Sequence, residues 1–202
     1  TNGFEINNAG AVVNMGLTGT AVFNLGTTAN ALKLTAGAMN IVTANVILGT
    51  NAGITVTAGT LNIVPTVGTL TTVTFNGTAV YSSTSAWMPS NLGAGALTIN
   101  KASGALTIDN ATLTCGGIVI SNVATVTINS NITTSADIAV SAGATVNLNG
   151  NITLGTATSG AAADITNTTG TVSVGASSAN TLTVYSTVAA GTVGTDANVG
   201  EV

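Results

Sequence analysis

Cut every twenty residues, the stretch 105–164 falls into three lines that agree column by column: ALTIDNATLTCGGIVISNVA, TVTINSNITTSADIAVSAGA and TVNLNGNITLGTATSGAAAD. Leu106, Val126 and Val146 share a column, as do Ile108, Ile128 and Leu148. Ile118 and Ile120 fall over Ile138 and Val140, and Ile132 falls over Ile152, with Val172 continuing that column. A fixed period of about 20 residues marks a stacked-repeat architecture. Within each line apolar residues alternate with Thr, Ser or Asn over three to five positions, which is the period of a strand. Short strands turned by Gly and Asn, one set per coil, specify an all-β fold: a single parallel β-solenoid. At about 20–22 residues per coil, residues 1–202 make one domain of about nine coils, about 43 Å tall at the usual strand spacing.

A second repeat lies upstream. LKLTAGAMNIV, Leu32 to Val42, recurs as ITVTAGTLNIV, Ile54 to Val64, at an offset of 22 with six of eleven positions identical. Earlier still, Ala11 to Val13 and Ala21 to Leu25 read as strands, and Phe4, Ile6 and Phe23 are suited to plug the end of the core. Pro65 closes a strand because it has no N–H for a ladder. Residues 81–96, YSSTSAWMPSNLGAGA, break the period and hold the only Trp. They read as an excursion looped out from one corner. The tail 186–202 is rich in Gly and Ala and reads as loosely wound.

The charge content narrows the function. Two Lys, no Arg, no His and six acids leave 4% of residues charged, where about 25% is usual. A net charge of −4 with two cations gives phosphates nothing to bind, and 3% aromatics leave few rings for base stacking, so nucleic acid is excluded as a partner. Without His there is no His-based triad or His metal site. The acids Glu5, Asp109, Asp137, Asp164, Asp196 and Glu201 are scattered. Asp109 and Asp137 are the nearest approach to a glycosidase pair, in different columns of adjacent coils. Asp137, Asp164 and Asp196 are weighed for calcium, but the calcium-binding nonapeptide is absent. The expectation is therefore no enzyme, no cofactor and no metal. Cys115 has no second Cys to pair with, and its column neighbours Ser135 and Gly155 make it a small residue at a turn or sheet edge. No run of 18 apolar residues offers a membrane span.

A wound stack ends in two edges of unpaired N–H and C=O groups, which monomeric solenoids cover with polar caps. Neither end of this sequence carries an amphipathic helix or a charged stretch that would blunt an edge. The expected partner is another copy, joined head to tail in a contact that does not close. Interface anchors are Phe4 and Ile6 at one end, Val193 and Val199 at the other, and Tyr81, Trp87 and Met88 on the flank, since Trp and Tyr favour interfaces. Five sequons, at Asn76, Asn110, Asn131, Asn151 and Asn167, are candidate glycan acceptors.

The stretches TVTFNGTAVYSS, ALTINKASGALTIDNATLT and ATVNLNGNITLG resemble the degenerate Thr/Asn/Gly repeats of bacterial β-helical surface proteins, in the style of adhesin and autotransporter passenger regions. The resemblance covers most of residues 30–185. It implies an extracellular or cell-surface location and a structural or adhesive role, with surface glycans as a further class of partner, and it transfers no functional residue. Three readings follow. The first is a self-assembling filament subunit; the second is a segment of a larger adhesin or surface-layer protein. The third is an ice-binding solenoid, which needs outward Thr-x-Thr pairs in one column; such pairs occur at Thr55/Thr57, Thr112/Thr114, Thr125/Thr127 and Thr156/Thr158, but the last three fall in different columns.

Overall fold

The computed structural model describes residues 3–15, 22–24, 28, 31–41, 45–47, 53–61, 72–78, 80–81, 84, 88, 90–122, 125–141, 143–155, 163–175 and 180–184. These residues contain strands and no helix. In chain order the strands are β1 (Phe4–Met15), β2 (Val22–Asn24), β3 (Leu32–Ile41), β4 (Asn45–Ile47), β5 (Gly53–Val56), β6 (Thr60–Leu61), β7 (Thr72–Gly77), β8 (Ala96–Lys101), β9 (Ala105–Ile108) and β10 (Thr112–Cys115). They continue as β11 (Gly117–Ser121), β12 (Thr125–Ile128), β13 (Asn131–Thr134), β14 (Ile138–Val140), β15 (Thr145–Leu148), β16 (Ile152–Leu154), β17 (Ile165–Asn167), β18 (Thr171–Val174) and β19 (Leu182–Val184).

Every strand pairing is parallel, and neighbours in each sheet are one coil apart in sequence. Wall one runs β1-β3-β5-β7-β8-β11-β14-β17, with β6 also on β3. Wall two runs β9-β12-β15-β18, wall three runs β10-β13-β16-β19, and β2 pairs β4. The chain is thus a parallel β-solenoid. Four coils carry all three walls, β8-β9-β10 through β17-β18-β19, and wall one extends four rungs below them. The expected nine coils become eight rungs on the long wall, a height of about 34 Å at normal strand spacing.

Alternation does what the sequence requires of it. β9, β10, β12, β13 and β15 each run exposed, buried, half-buried, buried. The inward positions stack into columns. One on wall one reads Phe4, Leu32, Ile54, Val73, Leu97, Ile118, Ile138 and Ile165. Its middle members have no exposed surface. β-Branched side chains suit such a wall because their stiff χ1 matches the pleat. The columns of Leu106 and Ile108 stack as expected through Val126 and Ile128 to Val146 and Leu148.

The lower half winds on the repeat at offset 22. Leu32 lies on Ile54, Leu34 on Val56, and Met39 on Leu61. Between them the chain turns a corner at Thr-Ala-Gly, where Gly37 and Gly59 have φ of 95° and 109°. A Cβ on Gly59 would stand 2.5 Å from the carbonyl oxygen of Gly37, so the stacked corner admits no side chain.

Four expectations change. Val172 lies on Val146, not Ile152, whose partner is Leu182. Ser173 accordingly joins the column of Asn147, and Thr183 takes the place above Thr153. The last coil is longer: Asp164 follows its bonded partner Asp137 by 27 residues, and Thr181 follows Asn151 by 30, so an ungapped cut at twenty fails there. Cys115 pairs with Thr134 rather than Ser135 and is a buried core residue, not an edge residue. Finally, the described residues of 81–96 do not loop out. Tyr81 bridges to Leu106 and Asn91 to Thr114, both in parallel sense, so the described positions stack as a further layer beneath walls two and three. Thr84, Met88 and Leu92 are fully buried in it. Ala21, Leu25, Pro65 and the tail 186–202 lie outside the described residues.

Candidate self-assembly edges

The direction of each backbone bond fixes what the stack offers at its two ends. On wall one the inward-facing residues bond upward: Ile118 N–H donates to Asp137 O at 3.0 Å, and Ile138 N–H to Asp164 O at 2.8 Å. Phe4 follows the same phase, its N–H donating to Ala31 O at 2.8 Å. Alternate residues of a parallel strand address opposite neighbours. Glu5 therefore directs its N–H and C=O to the lower side of β1, and Ile165 and Asn167 direct theirs to the upper side of β17. No described strand pairs with either side. The same holds above β18 and β19.

Side chains reinforce the coil-to-coil joints. Asp137 Oδ1 accepts the N–H of Asp164 at 2.9 Å. Asn131 Oδ1 accepts from Asn151 N–H at 3.0 Å, and Asn151 Oδ1 from Thr181 N–H at 2.9 Å. Asn149 Nδ2 donates to Asn129 Oδ1 at 2.9 Å, an amide ladder along the axis. Asp109 Oδ1 accepts the N–H of Thr84 at 2.9 Å. Asp109 and Asp137 thus sit at different corners, after wall two and before wall one, each holding a backbone N–H. Among the described residues no three His, Cys, Asp or Glu cluster as a metal site would need.

One ion pair lies near the lower edge. Glu5 pairs with Lys33 at 3.0 Å and accepts from Thr35 Oγ1 at 2.8 Å. The Thr35 hydroxyl first, then the Lys33 ammonium, hold the Glu5 carboxyl below its ordinary value. Lys101 is buried, with its ammonium 5.3 Å from the centroid of Tyr81, and burial lowers its pKa. Tyr81 stands edge-on to Phe75 at 5.7 Å and is pushed up to about 12 by burial. Burial pushes the Cys115 thiol up to about 12, against a smaller opposing contribution from a hydrogen bond with the Gly117 backbone. These three groups are interior.

The residues singled out from sequence divide accordingly. Phe4 is half-buried on β1, at the lower edge. Ile6 is 4% exposed and belongs to the core, as a plug would. Tyr81 and Met88 are also buried core residues and offer no flank for lateral contact. Trp87, Val193 and Val199 lie outside the described residues. Of the sequons, Asn131 and Asn151 are exposed and Asn76 is half-buried. Asn110 and Asn167 are buried, with Nδ2 donating to Met88 O at 2.7 Å and to Gly170 O at 2.8 Å, so neither can carry a glycan in the folded chain.

Sequence reading missed the Asp137–Asp164 joint. Its signal is present: Ala136-Asp137-Ile138 recurs as Ala163-Asp164-Ile165. The burial of Lys101 has no such signal. Among the described residues no helix is long and apolar enough to cross a membrane. Compared with protein-family models, curated proteins and solved structures, the chain matches none.

Proposed function

We propose that the chain is a structural subunit of an extracellular filament, built by stacking one solenoid on the next. The observation that carries this reading is the pair of parallel edges, β1 below and β17 to β19 above, without a described strand beyond either. Unpaired edge groups are a template for another chain. The usual devices against such pairing, charge and proline, are scarce: the whole sequence holds two Lys and two Pro. A contact between unlike ends that continues one stacking axis does not close, so it propagates into a filament. Light scattering over a wide concentration range, followed by electron microscopy of the purified protein, tests this. Growing mass and fibres about one solenoid wide are expected; monomer at every concentration would overturn the reading.

The resemblance to adhesin repeats favours a second reading, a segment of a longer cell-surface protein. There the same edges pair with further coils of the same polypeptide. A reading frame that continues the Thr/Asn/Gly repeat on either side would favour it over the filament.

A further inference from the structure

The edges specify a register as well as a partner, and this inference rests on the filament reading. We infer that β1 of one copy docks on β17 of the copy beneath it, in parallel, with Phe4 over Ile165, Glu5 over Thr166 and Ile6 over Asn167. Wall one then continues without a break across the joint.

Three observations set this register. The first is bond phase. Ile165 and Asn167 point their N–H and C=O groups up, and Glu5 points its own down. In the stated register Ile165 N–H meets Gly3 O, Glu5 N–H meets Ile165 O, and Asn167 N–H meets Glu5 O. This repeats the observed step in which Ile138 N–H donates to Asp164 O and Thr168 N–H to Val140 O. A shift by one residue would set donors opposite donors and turn the inward column outward. The second is the column itself. Phe4 and Ile165 are the two ends of one inward column, each half-buried where the middle members are fully covered, so each completes the other's burial. The third is the acid ahead of the strand. Asp164 precedes β17 as Asp137 precedes β14, and Asp137 Oδ1 holds the N–H of the residue one coil up. In the joint, Asp164 stands in the same relation to Gly3. Asn167, the polar residue in the second inward column, is already satisfied by Gly170 through both its amide N and O, so covering it with Ile6 strands no polar group.

The filament is then polar, with distinct growing ends. Paired parallel strands lie about 4.8 Å apart, inside the Cα range of a disulfide. Glu5→Cys with Thr166→Cys, in a Cys115→Ala background, is expected to give a ladder of covalent oligomers under mild oxidation on a non-reducing gel. Glu5→Cys with Ser173→Cys, which sits at the top of wall two, is expected to give none. If the polymer forms by scattering and microscopy but the first pair gives no ladder, or the second gives an equal one, the register is wrong and the filament reading stands. If the unsubstituted chain never polymerises, the filament reading falls and the register with it. Glu5→Pro provides a check that needs no cysteine. On the backbone it removes an N–H that faces away from β3, and on the side chain the exposed contacts to Lys33 and Thr35, so circular dichroism should be unchanged and melting should match that of Glu5→Ala, while growth stops for Glu5→Pro alone. Undiminished growth of a folded Glu5→Pro chain would overturn the inference.

Discussion

Val146→Ala and Val172→Ala make the same chemical change in the same column, one coil apart. Val146 has no exposed surface and is enclosed by Val126 below and Val172 above. Val172 is half-buried, with Val146 beneath it and no described strand above. Removing two methyl groups forfeits about 1.6 kcal/mol of transfer free energy at about 0.8 kcal/mol each. The strand spacing is held by ladder hydrogen bonds on both sides of β15, so the site collapses poorly, and a cavity contribution raises the loss to about 2.5 kcal/mol. At Val172 roughly half the area is at stake and the space opens to solvent, which leaves about 0.8 kcal/mol. With a slope of about 2 kcal/mol/M in urea, the midpoints should fall by about 1.2 M and about 0.4 M respectively. Circular dichroism during urea titration of dilute, unassembled protein reads both. Equal losses would refute the reasoning, since they would mean that burial at the top of the stack matches burial in its middle.

Three further outcomes follow from local geometry. Gly59→Ala should lower stability by about 3 kcal/mol, combining a disfavoured φ with a clash against Gly37 O, whereas Gly10→Ala, whose nearest contact is 3.6 Å away, should be close to neutral in the same urea titration. Asn110→Ala orphans the carbonyl of Met88 and the hydroxyl of Thr84 in a buried corner and should cost about 2–4 kcal/mol, against less than about 1 kcal/mol for the exposed Asn129→Ala. In alkali, Cys115 and Tyr81 ionise in the unfolded chain near 9 and 10 but resist until about 12 in the fold. The native state then binds more protons than the unfolded one, so the melting temperature should fall as pH rises from about 9 to 12. Lys101, lowered from 10.5, works in the opposite sense, since it loses its proton earlier in the fold and gains stability as pH rises towards 10.5. Cys115→Ala should flatten the first part of the decline; an unchanged profile would show that the thiol is not the group responsible.

The regular block is legible because its coils are equal in length. Where the step is 20 residues, as from Asn129 to Asn149, residue number alone aligns Leu106, Val126 and Val146, and strand alternation says which side faces in. The same arithmetic misplaces Val172 as soon as the chain inserts residues between Leu154 and Ile165, because a solenoid conserves the position of its walls and not the length of its corners. Only a local signature survives such an insertion, and the Ala-Asp-Ile at the start of β14 and β17 is one: at Asp137 the acid holds an N–H of the coil above. Residues 81–96 are unreadable for a different reason. Tyr81, Thr84, Met88 and Leu92 do not alternate, and what winds them into the stack is a set of bonds to Asp109, Asn110 and Thr114, more than one regular coil further along the chain.

The candidate site lies between these cases. That charged residues are scarce can be read from composition, but Ile6, Tyr81 and Met88, whose size suggests anchors, are core. In a stack this narrow a large apolar side chain is drawn inward wherever it falls, so size marks burial and not contact. What an end offers its partner is the phase of its backbone, and that phase passes from coil to coil through every bond in wall one. A single residue inserted within a strand, as opposed to a corner, would invert it. Between β14 and β17 the extra residues fall in a corner: although the chain from Ile138 to Ile165 is longer than a regular coil, the two strands still meet in register over all three of their residues. Phe4 to Ile6 likewise meet Leu32 to Leu34 in register, ahead of the shifts further along β1, which is the condition for an upper edge to match a lower edge of the same chain.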